Sequence, residues 1–352
     1  MENTQESGTR QSAADYVDQY IRQLQDGGVI EPSTVRDYLM TAKRLREHFA
    51  DIKLRDLDPS DIQIWEADKR RMGASASVVG KCHQLLKSAC KRAVELGDLD
   101  HNPLDKVKPP KREKKRPNAL DREEREHLVS LLSDMEPTVL VVGAQIAMYT
   151  GLRRGELCAL RWRDVDLDNA EIHVQSAIGL GDAGQYEKST KTGSSTRTVP
   201  ISSTLDSVLR QRKAFMQSER LKVGVSAHGA DFNKLFVLGD VTGRYCSVTV
   251  LSRDWTSFAK NHNIIGNQGE RLMLHGLRHS FATAAIEAGA DVKSVSDNLG
   301  HANTTVTLDT YASATKDGKR KATQLVDDSF NPKPADIIDL DNTAAEAIDT
   351  TS

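Results

Sequence analysis

Residues 106–117, KVKPPKREKKRP, are expected to stay outside any folded core, and so they divide the rest of the chain into an upstream and a downstream part. Lys106, Lys108, Lys111, Arg112, Lys114, Lys115 and Arg116 oppose packing. Pro109, Pro110 and Pro117 hold the backbone extended and remove amide donors. The segment has two compatible readings: a solvated linker between domains, or a strap lying along a polyanion. The charge distribution bears on the choice. The net charge of −2 over 352 residues conceals an acidic tail. Residues 327–352 carry Asp327, Asp328, Asp336, Asp339, Asp341, Glu346 and Asp349 against Lys333, a balance of −6, which leaves +4 on the remainder. The body is mildly basic, as a polyanion-binding surface requires. The tail is expected to be disordered.

Upstream of the strap the pattern is helical. Val17, Tyr20, Ile21 and Leu24 lie on one face of a helix over about 14–25. Ser33 is the expected N-cap of a second helix carrying Val35, Tyr38, Leu39, Leu45 and Phe49. Asp58-Pro59-Ser60-Asp61 is a compact start signal for a third, with Ile62, Trp65 and Met72. A fourth, from about Ser77, should bury Val78, Cys82, Leu85, Ala89 and Leu96 and stop at Gly97. The expected organisation is therefore a helical domain over 11–104, a basic linker over 105–118, a second domain over 119–326 and the acidic tail. Only about a dozen residues precede the first helix, so an additional N-terminal domain is expected to be missing, or the chain to be a truncated form.

The second domain opens with Asp121 as cap and Glu124 as its capping-box partner. Helices are predicted over 122–133, 137–149, 203–220, 249–262, 275–288 and 291–299. Short strands are predicted over 171–177 and 197–201, with Gly179, Gly181 and Gly184 loosening the connection between them. This is an α+β domain, mainly helical with a small β-sheet.

Several function classes drop out. No run approaches the roughly 20 apolar residues of a membrane span, and residues 1–10 lack a signal-peptide core. Cys82, Cys90, Cys158 and Cys246 form neither a disulfide framework nor a zinc pattern, which points to a reducing, cytoplasmic location. A phosphate loop of the P-loop type is missing. His275 and His279 stand four apart, but Gly276 occupies the glutamate position of a zinc-protease motif. No metal and no cofactor is expected.

The remaining signal is cationic. TGLRRGEL (150–157) places arginine near a helix start, and HGLR (275–278) sets imidazole and guanidinium at i and i+3. LGH (299–301) puts a second imidazole at a helix end, and KTG (191–193) precedes a strand. TLDTY ends on Tyr311. Each alone has an ordinary reading as surface charge or core. In this order they resemble the tyrosine recombinase (phage integrase) family, across the whole second domain. The helical domain and strap are similar to that family's core-site DNA-binding domain and linker.

The resemblance implies a site-specific recombinase, an integrase of a mobile element, working through a 3′-phosphotyrosyl intermediate and a Holliday junction. Motif by motif it assigns Arg153, Lys191, His275, Arg278 and His301 to the active site, Tyr311 as nucleophile and Glu156 as support for Arg153. His279 matches a structural position, and the family's histidine two residues past the tyrosine is Ser313 here. The implied partners are double-stranded core-site DNA, a homotetramer in the synaptic complex and a directionality factor, with no membrane. Segment 312–326 would dock on a neighbouring protomer. The neighbouring alternatives are a type IB topoisomerase, with the same tyrosine chemistry, and an inactive DNA-binding regulator.

The residue types suit the reaction. Forked, permanently charged arginines offset charge on the nonbridging oxygens as the transition state forms. A free tyrosine, with a pKa of about 10, needs a base, for which His275 is the candidate. The leaving 5′ oxygen needs a proton, for which Lys191 is the candidate. His301 would hydrogen-bond the phosphate.

Overall fold

The computed structural model describes residues 11–111, 116–189, 196–224 and 231–301, together with 327 and 330. The chain divides into two compact units, Met1–Arg116 with Ser176–Ser189 and Tyr245–Val250, and Pro117–Gln175 with Thr190–Arg244 and Leu251–Ser352. Among the described residues no helix is long and apolar enough to cross a membrane.

Four helices build the first unit: α1 Ala13–Asp26, α2 Pro32–Phe49, α3 Pro59–Arg71 and α4 Ala76–Leu96. Their starts reflect local chemistry. The Ser12 hydroxyl accepts the Asp15 amide, Asp58 caps α3 as predicted and forms a capping box with Asp61, and Ser75 caps α4. Gly97 ends α4 at φ +81°, a conformation a side chain would strain. The core joins Val17, Ile21, Leu45, Phe49, Ile62, Trp65, Leu86, Cys90 and Leu104.

Three expectations are corrected here. Ser33 lies inside the first turn of α2, because Pro32 supplies the helix-compatible φ at the first position and Glu31 becomes the cap. The apolar stripe of α4 runs through Val79 and Leu86, leaving Val78 half-buried and Leu96 exposed, while Met72 is 80% exposed at the end of α3. The strap also begins later than composition suggests. Lys106 closes a short 3-10 turn, and Val107 is buried in the core. Lys106, Lys108, Lys111 and Arg116 are exposed, and Arg112, Lys114 and Lys115 lie outside the described residues.

The first unit also contains a hairpin, β3 Ser176–Gly181 paired antiparallel with β4 Gly184–Ser189. Gly179 and Gly181 are strand residues, not looseners. A Cβ on Gly179 would meet the Tyr186 ring at 2.8 Å, and one on Gly181 would meet Pro32 at 3.0 Å. That close approach lets the Tyr186 hydroxyl accept the Ser33 amide at the start of α2 (3.3 Å). Gln185 accepts the Val248 amide (2.8 Å) and donates to the Ser247 hydroxyl (2.8 Å).

In the second unit, α5 Arg122–Ser133 starts on the predicted Asp121–Glu124 capping box. The apolar helix α6 Val139–Thr150 is buried almost throughout and packs on α10 Leu274–Glu287. Between them in sequence come α7 Arg154–Ala159, a three-stranded antiparallel sheet, α8 Ser203–Lys222 and, from Leu251 on, α9 Val248–Asn261. The sheet order is β1 Val165–Asp166, β2 Glu171–Val174 and β5 Arg197–Pro200, with Val174 opposite Arg197. The buried Trp255 of α9 donates its indole N–H to the Leu272 carbonyl (2.8 Å), fixing the approach to α10. The last described helix, α11 Val292–Leu299, packs Val295 and Leu299 on Phe281, Ala282 and Ala285 of α10.

Candidate active site

The turn from α6 into α7 sets the first arginine. Gly151 takes φ +68°, and a Cβ there would lie 2.6 Å from Leu299 and 2.8 Å from Phe281, so the chain can turn this close to α11 only as glycine. Arg153 then becomes the residue before α7, with Glu156 one turn on. The Glu156 carboxylate accepts the Arg153 amide (2.8 Å) and its Nη1 (2.9 Å). Arg154 leaves this cluster and donates to the Ser252 hydroxyl (2.8 Å).

The second arginine comes from α10. Arg278 is 3% exposed and donates through Nη1 to the Gly151 carbonyl (2.6 Å) and through Nη2 to the Leu299 carbonyl (2.7 Å). Arg153 Nη2 donates to the next carbonyl, Gly300 (2.7 Å). A third guanidinium completes the series. Arg197, at the start of β5, donates through Nε to the Asn298 carbonyl (2.6 Å). Its Nη atoms bond both Glu156 oxygens (3.2 and 2.9 Å). Three arginines from three elements thus meet three consecutive carbonyls at the C-terminal end of α11. Helix ends leave such carbonyls without intrahelical partners and carry the negative end of the helix dipole.

Gly300, at φ +65°, closes α11 with its amide on Asp297, and the His301 amide returns to Ser296 (3.0 Å). This Schellman turn delivers His301 next to the arginines. Burial, then the charges of Arg278, Arg153 and Arg197, push its imidazole down to about 4. Desolvation and the Arg278 and Arg153 charges likewise hold His275 below its ordinary value. The His279 ring stands edge-on to that of His275 at 4.8 Å and is driven down to about 4 by burial. Burial pushes the Glu156 carboxyl up, but Arg197 and Arg153 outweigh it and keep it below the ordinary range. The cluster therefore carries fixed positive charge beside neutral imidazoles at pH 7. Such a site binds an anion and leaves a base ready to take a proton.

Arg153, Glu156, His275, Arg278 and His301 come together; Lys191 and Tyr311 lie outside the described residues. Among the described residues no group of three His, Cys, Asp or Glu is placed to hold a metal ion. Sequence reasoning passed over Arg197 as an ordinary strand residue. The signal available was alternation, since Arg197 shares a face with the buried Val199.

The phage integrase family matches residues 114–317, more than half of the chain. The chain belongs to that family. It is an enzyme of the tyrosine recombinase type, whose chemistry is the breaking and rejoining of DNA strands. Among phage integrase relatives it is similar to a tyrosine recombinase XerC-like protein of Caldanaerobacter subterraneus, 27% identical over 79% of this chain and 73% of the relative. The ICEBs1 integrase of Bacillus subtilis is 26% identical over 81% of this chain and 75% of its own. The fold is similar to that of the Tn1549 transposon integrase in complex with a circular intermediate DNA, with a TM-score of 0.70, 20% identity, and coverage of 90% of this chain and 99% of that one. A lambda integrase tetramer bound to a Holliday junction gives a TM-score of 0.64 at 20% identity, covering 84% and 78%.

Proposed function

We propose that the chain is a site-specific recombinase, the integrase of a mobile element, using Tyr311 as nucleophile. The observation that carries this reading is the meeting of Arg153 and Arg278 with His275 and His301 at the end of α11. In the proposed reaction the Tyr311 oxygen attacks the scissile phosphorus and gives up its proton to His275. A P–O bond forms, and the bond to the 5′ oxygen breaks as that oxygen takes a proton from Lys191. Arg153 and Arg278 offset the charge that builds on the nonbridging oxygens, and His301 hydrogen-bonds the phosphate. The phosphotyrosyl bond conserves the energy of the broken phosphodiester, so a 5′ hydroxyl of another strand can reverse the step without a nucleotide cofactor.

The domains 11–104, 105–118 and 119–326 would then serve as core-site reader, phosphate-tracking strap and catalytic domain. Exposed Lys106, Lys108, Lys111 and Arg116 support the strap reading, which implies affinity that falls steeply with salt. The lambda integrase tetramer bound to a Holliday junction supports four protomers acting on two sites.

A nicked suicide substrate, which loses the 5′ hydroxyl needed for resealing, tests the reading. The wild-type chain should accumulate a covalent adduct in EDTA, and Tyr311→Phe should bind DNA and form none. An undiminished adduct in Tyr311→Phe would sink the assignment. Relaxation of one plasmid without joining of two sites would recast the enzyme as a topoisomerase.

A further inference from the structure

We infer that Arg197 is a positioning residue for strand cleavage, acting through Glu156 on Arg153 and through the Asn298 carbonyl on the turn that carries His301. The inference rests on the proposed function of this site.

The geometry separates Arg197 from the arginine it assists. All three of its guanidinium nitrogens have partners, Nε on Asn298 and both Nη on Glu156. Its side chain is 8% exposed, against 38% for Arg153, so Arg153 is the more accessible member of the pair. Charge adds a second argument. A carboxylate facing Arg153 alone would cancel the charge that has to meet the phosphate. With Arg197 beside it, one carboxylate is shared by two guanidiniums, and the group keeps a net charge of about +1. Glu156 then orients Arg153 without neutralising it.

A purely structural role explains the arrangement poorly. Desolvating a buried arginine–carboxylate group costs about as much as the attraction returns, and apolar side chains of similar volume often hold a core as well or better. An apolar pair could join β5 to α11. It could neither share Glu156 nor hold the Asn298 carbonyl next to the Leu299 and Gly300 carbonyls that Arg278 and Arg153 bind.

The test compares Arg197→Met, which keeps the stem and loses the charge, with Arg197→Lys, which keeps the charge and loses the fork. Single-turnover cleavage is measured at saturating full-length protein, on a normal duplex and on one with a neutral methylphosphonate at the scissile position. On the normal duplex Arg197→Met should lose about 10–100-fold and Arg197→Lys less, a part of the roughly 10²–10³ that a direct transition-state donor supplies. DNA affinity should hold within about twofold, well inside the tenfold that 1.4 kcal/mol represents. On the methylphosphonate, where less charge develops, the penalty should shrink, as it should for Arg153→Ala. The Arg153→Ala/Arg197→Met double variant should cleave about as fast as Arg153→Ala alone, since the two act as one unit. Equal penalties on both substrates, additive losses, no loss, or failure of both single variants to fold would overturn the inference. A wild-type chain that cleaves neither substrate would instead overturn the proposed function.

Discussion

Two buried carboxylates, one in each unit, show how differently the same side chain can be used. Glu66 of α3, 7% exposed, meets a single imidazole, His83 of α4, at 2.7 Å. Glu156 of α7, 5% exposed, meets two guanidiniums and a backbone amide. The first is one ring nitrogen against one carboxylate oxygen. In the second, two permanently charged guanidiniums share one carboxylate, and positive charge is left over. The first arrangement joins two helices inside an apolar core. The second keeps charge at a surface where the arginines converge. A buried carboxylate is therefore informative about function through the number and kind of its partners, not through its burial.

The largest effect expected from this contrast is catalytic. Arg278→Ala should lower cleavage by about 10²–10³, the value of a lost transition-state donor, and single-turnover rates will show it. The same change removes the donor from the Gly151 and Leu299 carbonyls, so chemical denaturation should also report a loss of stability.

Next come the carboxylates themselves, compared by denaturation. Glu156→Gln sets an amide against two guanidiniums and should cost about 3–5 kcal/mol, as breaking a buried ionic group does. Glu66→Gln keeps an oxygen for the His83 ring to bond and should cost about 1 kcal/mol. Equal costs would erase the distinction between the two sites.

A smaller effect depends on pH. His279 and His301 are pushed down to about 4 from the ordinary 6.5. A base whose folded value lies below its unfolded one contributes stability that is full above about pH 6.5. That stability is lost as the pH falls towards 4. Thermal unfolding of the DNA-free protein should weaken through this window, and His279→Phe should flatten part of the decline. An unchanged profile in that variant would show that His279 plays no part in it. Smallest of all, Tyr186→Phe should cost about 0.5–1.5 kcal/mol, the worth of the hydroxyl that accepts the Ser33 amide.

Most helices were legible because their starts depend on neighbours in sequence: Asp58 with Asp61 and Asp121 with Glu124 act within one turn. Legibility failed where a distant residue decides. Gly179 and Gly181 read as loop formers until the Tyr186 ring and Pro32 fill the space a Cβ would need. Ser33 is a separate case, a local misreading, since Pro32 at the first helical position puts the cap at Glu31. At the site, TGLRRGEL and HGLR were readable as motifs, and their arginines do share the end of α11. For Arg197 the sequence offers only its alternation with Val199, since its partners Glu156 and Asn298 lie far from it in sequence.

The most direct test of the central claim, that the buried charge around Glu156 serves DNA cleavage, pairs the two carboxylate variants in one assay. Covalent adduct formation on the nicked substrate is followed at saturating protein, at a temperature where both variants are folded. Glu66→Gln should react within about twofold of wild type, and Glu156→Gln should fall by tenfold or more, about 1.4 kcal/mol of barrier. Equal rates for the two variants would contradict the claim, because the Glu156 cluster would then be scaffold like the Glu66 pair.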